Sequence, residues 1–87
     1  MRVKLFGNLR QHTDQAAVTV SGATIGQVLQ QLCVAYPTME EAILDGDRLQ
    51  PHVRVMVNGH DIELADGLDT SVSETDQIAI FPPIAGG

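Results

Sequence analysis

Hydrophobic and polar residues alternate in four short stretches of the chain, which is the pattern of a strand with one buried side. These stretches cover residues 2–6, 17–21, 53–57 and 77–81. The side chains expected to face the core are Val3, Leu5, Val18, Val20, Val53, Val55, Val57, Ile78 and Ile80. The pair Asn58-Gly59 is a preferred tight-turn sequence, so it predicts a short returning strand over residues 60–63.

A helical repeat follows the second of these strands. Thr24 and Gln27 have the spacing of a capping box, in which each side chain satisfies a free backbone N–H at a helix start. Apolar residues then recur at helical spacing, at Ile25, Val28, Leu29, Leu32, Cys33 and Tyr36. Pro37 ends the helix, because the residue before a proline is disfavoured in the helical conformation. Cys33 is expected to be a small buried hydrophobic residue rather than a reactive thiol.

The remaining segments are expected to connect these elements. Residues 7–15 form a polar connection interrupted by Leu9, residues 39–44 a short second helical turn, and residues 45–47 a turn. In the later polar connection, Leu68 and Val72 should pack into the core. The order of elements predicts an α+β domain, in which one main helix packs on one face of a small sheet.

Composition limits the classes of function. The 87 residues fit one domain, and the aromatic fraction of 3% requires a core of aliphatic side chains. The net charge of -6 disfavours nucleic acid and anionic membranes as partners, and by itself favours a partner with a basic docking face. Cys33 is the only cysteine, so no internal disulfide is possible. With no signal peptide or membrane-spanning stretch in the sequence, we expect a cytoplasmic protein.

The residues up to Phe81 show no pattern typical of an active site. His12, His52 and His60 lack metal-ligand spacing, so no metal site is expected. Glu40 and Glu41 are adjacent, but neighbours in sequence do not share a helix face, which disfavours an acid–base pair. The sequence therefore indicates a protein that is not itself an enzyme.

The last seven residues have a different character. They read Phe81-Pro82-Pro83-Ile84-Ala85-Gly86-Gly87. Proline lacks an N–H donor and favours an extended path, and glycine has no Cβ, so such a tail can enter a narrow slot. The group delivered there is a carboxylate, which adenylation would make electrophilic and a sulfur donor could convert into a thiocarboxylate. A chance run of terminal glycines is the alternative interpretation.

The same residues resemble the MoaD/ThiS family of sulfur carriers, which belong to the β-grasp, ubiquitin-like class. The resemblance rests on residues 81–87, Leu9-Arg10, the helix start at Thr24, the segment 55–59 and Asp76. It implies a mixed sheet of four to five strands, with the first and last strands parallel and adjacent at the centre. It also implies a β-grasp domain over residues 1–81 and an extended diglycine tail over residues 82–87.

The resemblance implies a role for each part of the tail. Gly87 is the covalent site for the adenylate and the thiocarboxylate, and Gly86 and Ala85 provide access. The protein is then a cosubstrate or a non-catalytic small subunit of a synthase. It binds no cofactor, because the ATP is used by a partner, a ubiquitin-activating-type adenylyltransferase. The second partner is a sulfur-accepting synthase, either the molybdopterin synthase large subunit or a cysteine synthase.

Four apolar residues are expected on the sheet face away from the helix, when the alternation is combined with the family's strand order. They are Phe6, Met56, Ala79 and Phe81, and together with Pro82 and Ile84 they form the predicted partner interface. Clusters of exposed apolar side chains on small proteins often mark such interfaces. Ordinary scattered surface apolar residues are the alternative.

Subfamily and use of the activated tail stay open at this point. The tail resembles MoaD, the segment 49–68 resembles CysO-like carriers and archaeal small modifiers, and ThiS itself is a poorer match because its tail lacks Phe-Pro-Pro. A MoaD-related carrier of the CysO-like type is the preferred interpretation. A protein modifier joined through Gly87 to target lysines and a binding module with an inert tail are the alternatives.

Overall fold

Five of the seven strands form one mixed sheet in the computed structural model, which describes residues 1–82. The strands are β1 (Arg2–Leu5), β2 (Ala17–Thr19), β3 (Leu44–Asp45), β4 (Arg48–Leu49), β5 (Arg54–Val57), β6 (His60–Asp61) and β7 (Gln77–Phe81). The sheet order is β2-β1-β7-β5-β6, and β3 and β4 form a separate two-stranded ribbon. The predictions made for Ile84, Ala85, Gly86 and Gly87 lie outside the described residues.

The central pair of the sheet is β1 and β7, which run parallel with Val3 beside Ile78 and Leu5 beside Ile80. The strand β2 pairs antiparallel with β1, and β5 pairs antiparallel with both β7 and β6. The expected mixed sheet, with its first and last strands adjacent at the centre, is therefore confirmed.

The main helix is α1 (Ile25–Ala35), and it begins where the capping pattern predicted. The Thr24 hydroxyl accepts a hydrogen bond from the Gln27 backbone N–H at 3.3 Å. The Gln27 side chain accepts from the Ala23 backbone N–H at 2.8 Å, one residue before the partner that a capping box would give it. Pro37 ends α1 and stands directly before the short helix α2 (Thr38–Ile43). Among residues 1–82, no helix has the length and apolar character that crossing a membrane requires.

The core lies between α1 and one face of the sheet. Its buried hydrophobic residues are Val3, Leu5, Leu9, Val18, Ile25, Val28, Leu29, Leu32, Cys33, Met39, Ile43, Val53, Val55, Ile62, Ile78 and Ile80. Val20, Val57, Leu68 and Val72 are partly buried and pack against this cluster. The predicted inward residues are thus confirmed, and Cys33 is part of the core.

Two connections differ from the sequence expectation. The polar connection after β1 contains a 3-10 helix over Gly7–His12, which buries Leu9. The returning strand after Asn58-Gly59 ends at Asp61 rather than at residue 63, because the Asp61 carboxylate accepts from the Glu63 N–H at 2.9 Å and starts a 3-10 turn. Both differences come from local side-chain or backbone bonds that alternation does not reveal. The turn expected at 45–47 is confirmed, and it joins the two strands of the β3–β4 ribbon.

A hydrogen-bond cluster joins the β5–β6 turn to the start of β7. The Asn58 amide donates to the Asp76 carboxylate at 2.9 Å, and its carbonyl oxygen accepts from the Gln77 N–H at 2.9 Å. The Ser73 N–H donates to the other Asp76 oxygen at 2.8 Å. The Ser73 N–H and the Asn58 side chain together lower the pKa of Asp76.

We predict that Asp76→Asn destabilises the protein at neutral pH and that this difference shrinks in acid. A lowered folded-state pKa gives stability that is present above the unfolded-state pKa, about 3.9 for aspartate, and is lost as the pH falls through the folded value. The check is urea unfolding of parent and variant at several pH values between about 7 and about 2. A difference in unfolding free energy that stays constant with pH would contradict the prediction.

Candidate functional site

The tail leaves the sheet at the end of β7, next to the end of β1. Because these two strands are parallel, their carboxyl ends lie at the same edge of the sheet. The Phe6 backbone N–H donates to the Ile80 carbonyl at 3.2 Å, which extends the pairing by one residue beyond β1. The rings of Phe6 and Phe81 stack with centroids 4.4 Å apart and planes 13° apart. Stacked aromatic pairs of this kind stabilise by about 0.5–1.5 kcal/mol beyond their buried area.

Arg10 supports this stack from the 3-10 helix after β1. Its guanidinium Nε donates to the Leu5 carbonyl at 3.0 Å, which holds the side chain against the end of the strand. The guanidinium carbon lies 6.0 Å from the Phe6 ring centroid, at the outer limit of a cation–π contact. No role at this site was predicted for Arg10, because only the fold of the connection brings it back to Phe6.

Gly7 is the second residue that the sequence analysis missed. Its φ of +59° lies in the left-handed region, where glycine is strongly favoured. A Cβ at this position would lie 2.8 Å from Pro82 Cγ, so the proline ring sits directly over the glycine. The absence of a side chain at Gly7 therefore leaves the space that the ring of Pro82, the first residue of the tail, occupies.

The four predicted interface residues of the sheet occupy the face away from α1. Met56 and Ala79 are direct cross-strand partners, and Phe6 and Phe81 form the stack at the tail edge. All four side chains are half-buried, whereas their neighbours along the strands point into the core. We call this group, Phe6, Met56, Ala79 and Phe81, the sheet patch. Pro82 lies at its edge, and Ile84 is outside the described residues.

Other candidate groups do not form a site on the described part of the chain. His12 Nδ1 lies 2.8 Å from the Thr38 hydroxyl, and His52 and His60 are exposed at other places. Within residues 1–82 no cluster of three or more His, Cys, Asp or Glu side chains is arranged for a metal ion. Burial, assisted by the negative charge of Glu40, raises the pKa of the Cys33 thiol and keeps it protonated.

The geometry of the site defines where the tail begins. The sheet patch surrounds the starting point of the tail with apolar surface, and Gly7 and the stack define that starting point. No described residue at the site offers an activated nucleophile or a general base.

Similarity to known proteins covers almost the whole chain. The sequence model of the ThiS family matches residues 3–87. Sulfur carrier protein CysO of Mycobacterium bovis is 35% identical over 83 residues, which cover 91% of this chain and 89% of that protein. Small archaeal modifier protein 3 of Haloferax volcanii is 29% identical over 90 residues, which cover 100% of this chain and 98% of that protein. A chain in the crystal structure of the Amycolatopsis orientalis BexX/CysO complex matches with a TM-score of 0.90 and 26% identity, covering 99% of this chain and 98% of that one.

We predict that Gly7→Ala displaces Pro82 and destabilises the protein more than Gly46→Ala does. Both glycines have positive φ, +59° and +64°, so both substitutions carry a backbone cost of about 1–2 kcal/mol. Only the methyl group at position 7 meets another residue, because nothing lies within 4 Å of a Cβ at Gly46.

Urea unfolding gives the two losses of stability. NMR signals of Phe6 and Phe81 report displacement of the tail base, which we define as Phe81 and Pro82. Equal losses for the two variants, with unchanged aromatic signals in Gly7→Ala, would show that Pro82 does not depend on Gly7.

Proposed function

This chain belongs to the ThiS family and has its β-grasp, ubiquitin-like fold, and from this premise we propose that it is a sulfur carrier whose reactive group is the Gly87 carboxylate. An ATP-dependent activating enzyme joins this carboxylate to AMP and releases pyrophosphate. A sulfur donor then displaces AMP and leaves a thiocarboxylate, which donates its sulfur to a biosynthetic acceptor. The chain is the cosubstrate of these steps, and the catalytic groups belong to its partners.

The observation that best supports this proposal is the position of the tail base. The stack of Phe6 on Phe81 and the seat of Pro82 on Gly7 start the tail at a defined point on the rim of the sheet patch. A partner that binds the sheet patch therefore lies next to the point at which the tail begins. Positioning of this kind lowers the entropic cost of bringing a terminal group to a distant active site.

The acceptor is proposed from similarity. The relative from Mycobacterium bovis is named sulfur carrier protein CysO, and its 35% identity supports the CysO-like assignment made from residues 49–68. A cysteine synthase is therefore the first candidate acceptor, and the molybdopterin synthase large subunit, favoured by the Phe-Pro-Pro tail, is the second.

A ubiquitin-like protein modifier is the second candidate function. Similarity to small archaeal modifier protein 3, across 98% of that protein, favours it. The chemistry begins with the same acyl-adenylate, but a lysine amine of a target then attacks the carbonyl and forms an isopeptide bond. The two functions differ in the nucleophile that attacks the activated Gly87 carbonyl.

We predict that incubation with ATP, sulfide and the cognate activating enzyme converts the protein into a thiocarboxylate. Intact mass spectrometry should show replacement of one oxygen by sulfur, and a control lacking Gly87 should remain unchanged. An unchanged mass for the parent, with an enzyme shown to be active, would contradict the carrier proposal. In cells, a ladder of conjugates that disappears with deletion of Gly87 would favour the modifier.

We predict that Phe81→Asp slows adenylation at least about tenfold, because it removes the aromatic ring that the sheet patch presents beside the tail. The cost in stability should be about 1–2 kcal/mol, since the lost stack and the half-buried ring are the main contributions. Val34→Asp is the matched control, because Val34 is 76% exposed on α1 and belongs to the opposite side of the domain.

Pyrophosphate release measures adenylation, and thermal unfolding measures the fold. Parent-like adenylation of Phe81→Asp would exclude the sheet patch from the docking surface. Complete loss of folding would show instead that Phe81 belongs to the core.

A further inference from the structure

The basic residues are unevenly distributed over this acidic protein. The sequence has eleven acidic and five basic residues, and the basic ones are Arg2, Lys4, Arg10, Arg48 and Arg54. Four of the five border the sheet patch, whereas Arg48 lies on the β3–β4 ribbon. The basic residues of this acidic chain are thus concentrated around the sheet patch.

The strand register places Arg2, Lys4 and Arg54 on the face of the sheet patch, and the 3-10 helix after β1 places Arg10 beside it. Arg2 and Lys4 alternate with buried Val3 and Leu5, so their exposed side chains share the face of the patch. Lys4 is the direct neighbour of Ala79 on β7. Arg10 lies against the Phe6 ring, and Arg54 is the cross-strand partner of Phe81.

Only part of this positive charge is neutralised within residues 1–82. Both ion pairs found there involve Arg54, whose guanidinium lies 3.2 Å from Asp61 and 3.3 Å from Glu63. Glu74 and Asp76 border a hollow shared with Arg2 and Lys4, at the end of β7 opposite to the tail. The Asp76 carboxylate already accepts from Asn58 and Ser73. Beside the apolar patch itself, Lys4 and Arg10 present positive charge to solvent.

The other side of the domain is acidic. Six carboxylates lie on α2, on the ribbon and in the connection before β7: Glu40, Glu41, Asp45, Asp47, Asp66 and Asp69. The sheet side also has four carboxylates, Asp61, Glu63, Glu74 and Asp76, which balance its four basic residues. An approaching acidic protein would therefore be repelled least on the sheet side, where Lys4 and Arg10 attract it locally. The charges therefore favour one orientation of encounter, with the sheet patch and the base of the tail in front.

We propose that the sheet patch docks on a protein surface with an apolar centre and a carboxylate rim, and that Arg2, Lys4 and Arg10 select that surface by charge. The inference rests on the proposed function, since it assigns this surface to the activating enzyme. The net charge of the chain alone favours a basic partner surface, but the placement of the charges favours an acidic one. Charge pairs at the rim of an interface act on the association rate more than on the final affinity.

The test compares three charge reversals that alter the net charge equally. Lys4→Glu and Arg2→Glu remove positive charge beside the patch, and Arg48→Glu removes it from the ribbon. Association with the cognate activating enzyme is measured by stopped-flow fluorescence at about 0.05 M and about 0.5 M salt, since screening separates electrostatic from apolar contributions. Thermal unfolding of each variant confirms that the fold is retained.

The expected result is an association rate lowered about tenfold for Lys4→Glu and Arg2→Glu at low salt, with little change for Arg48→Glu. High salt should lower the parent rate toward that of the two sheet variants. Equal effects of all three reversals would show that only net charge matters and would overturn the proposal, as would a parent rate that increases with salt.

Failure of the proposed function has a different signature. An enzyme that binds the parent chain but never releases pyrophosphate would refute adenylation of Gly87, while the comparison of binding rates would still decide the docking surface. An enzyme that shows no binding to the parent chain would overturn both.

Discussion

The parallel pairing of β1 with β7 is the constraint on which the rest of the structure depends. Parallel neighbours cannot be joined by a tight turn, so the chain between them must cross over, and α1 covers one face of the sheet during that crossing. Within residues 1–82, no helix or second sheet covers the opposite face. The same pairing places the ends of both strands at one edge, which is why Phe6, Gly7, Phe81 and Pro82 meet there. The uncovered face and the defined tail base thus have a common origin.

The alternating stretches allowed the central sheet to be predicted from sequence. Val3, Leu5, Ile78 and Ile80 are all buried, because a period of two leaves only one register that hides them from water. The start of α1 could also be predicted from sequence, since the spacing of Thr24 and Gln27 is that of side chains which bond the free backbone N–H groups at a helix start. The parallel order of the first and last strands came from the family resemblance and not from the alternation.

The rest of the site depends on contacts between residues that are distant from each other in sequence or on local backbone bonds. Nothing in the polar run after β1 identifies the 3-10 helix that returns Arg10 to Phe6, or the proline that covers Gly7. The end of β6 at Asp61 depends on one side-chain hydrogen bond to the backbone. The charge pattern was different, because the alternation of Arg2 and Lys4 with Val3 and Leu5 already placed both cations on the uncovered face. The net charge of the chain alone does not show that these cations share one face.

The position of β7 also determines when the chain can fold during its synthesis on the ribosome. During synthesis β1 is made early, but its central neighbour is the last strand described, so the sheet cannot close until residues 77–81 have emerged. A nascent or prematurely ended chain that lacks this strand exposes its aliphatic residues and is a target for proteases. Every copy that is folded has therefore been translated at least as far as Phe81. The cell's ordinary removal of unfolded chains then keeps copies that lack the start of the tail from accumulating.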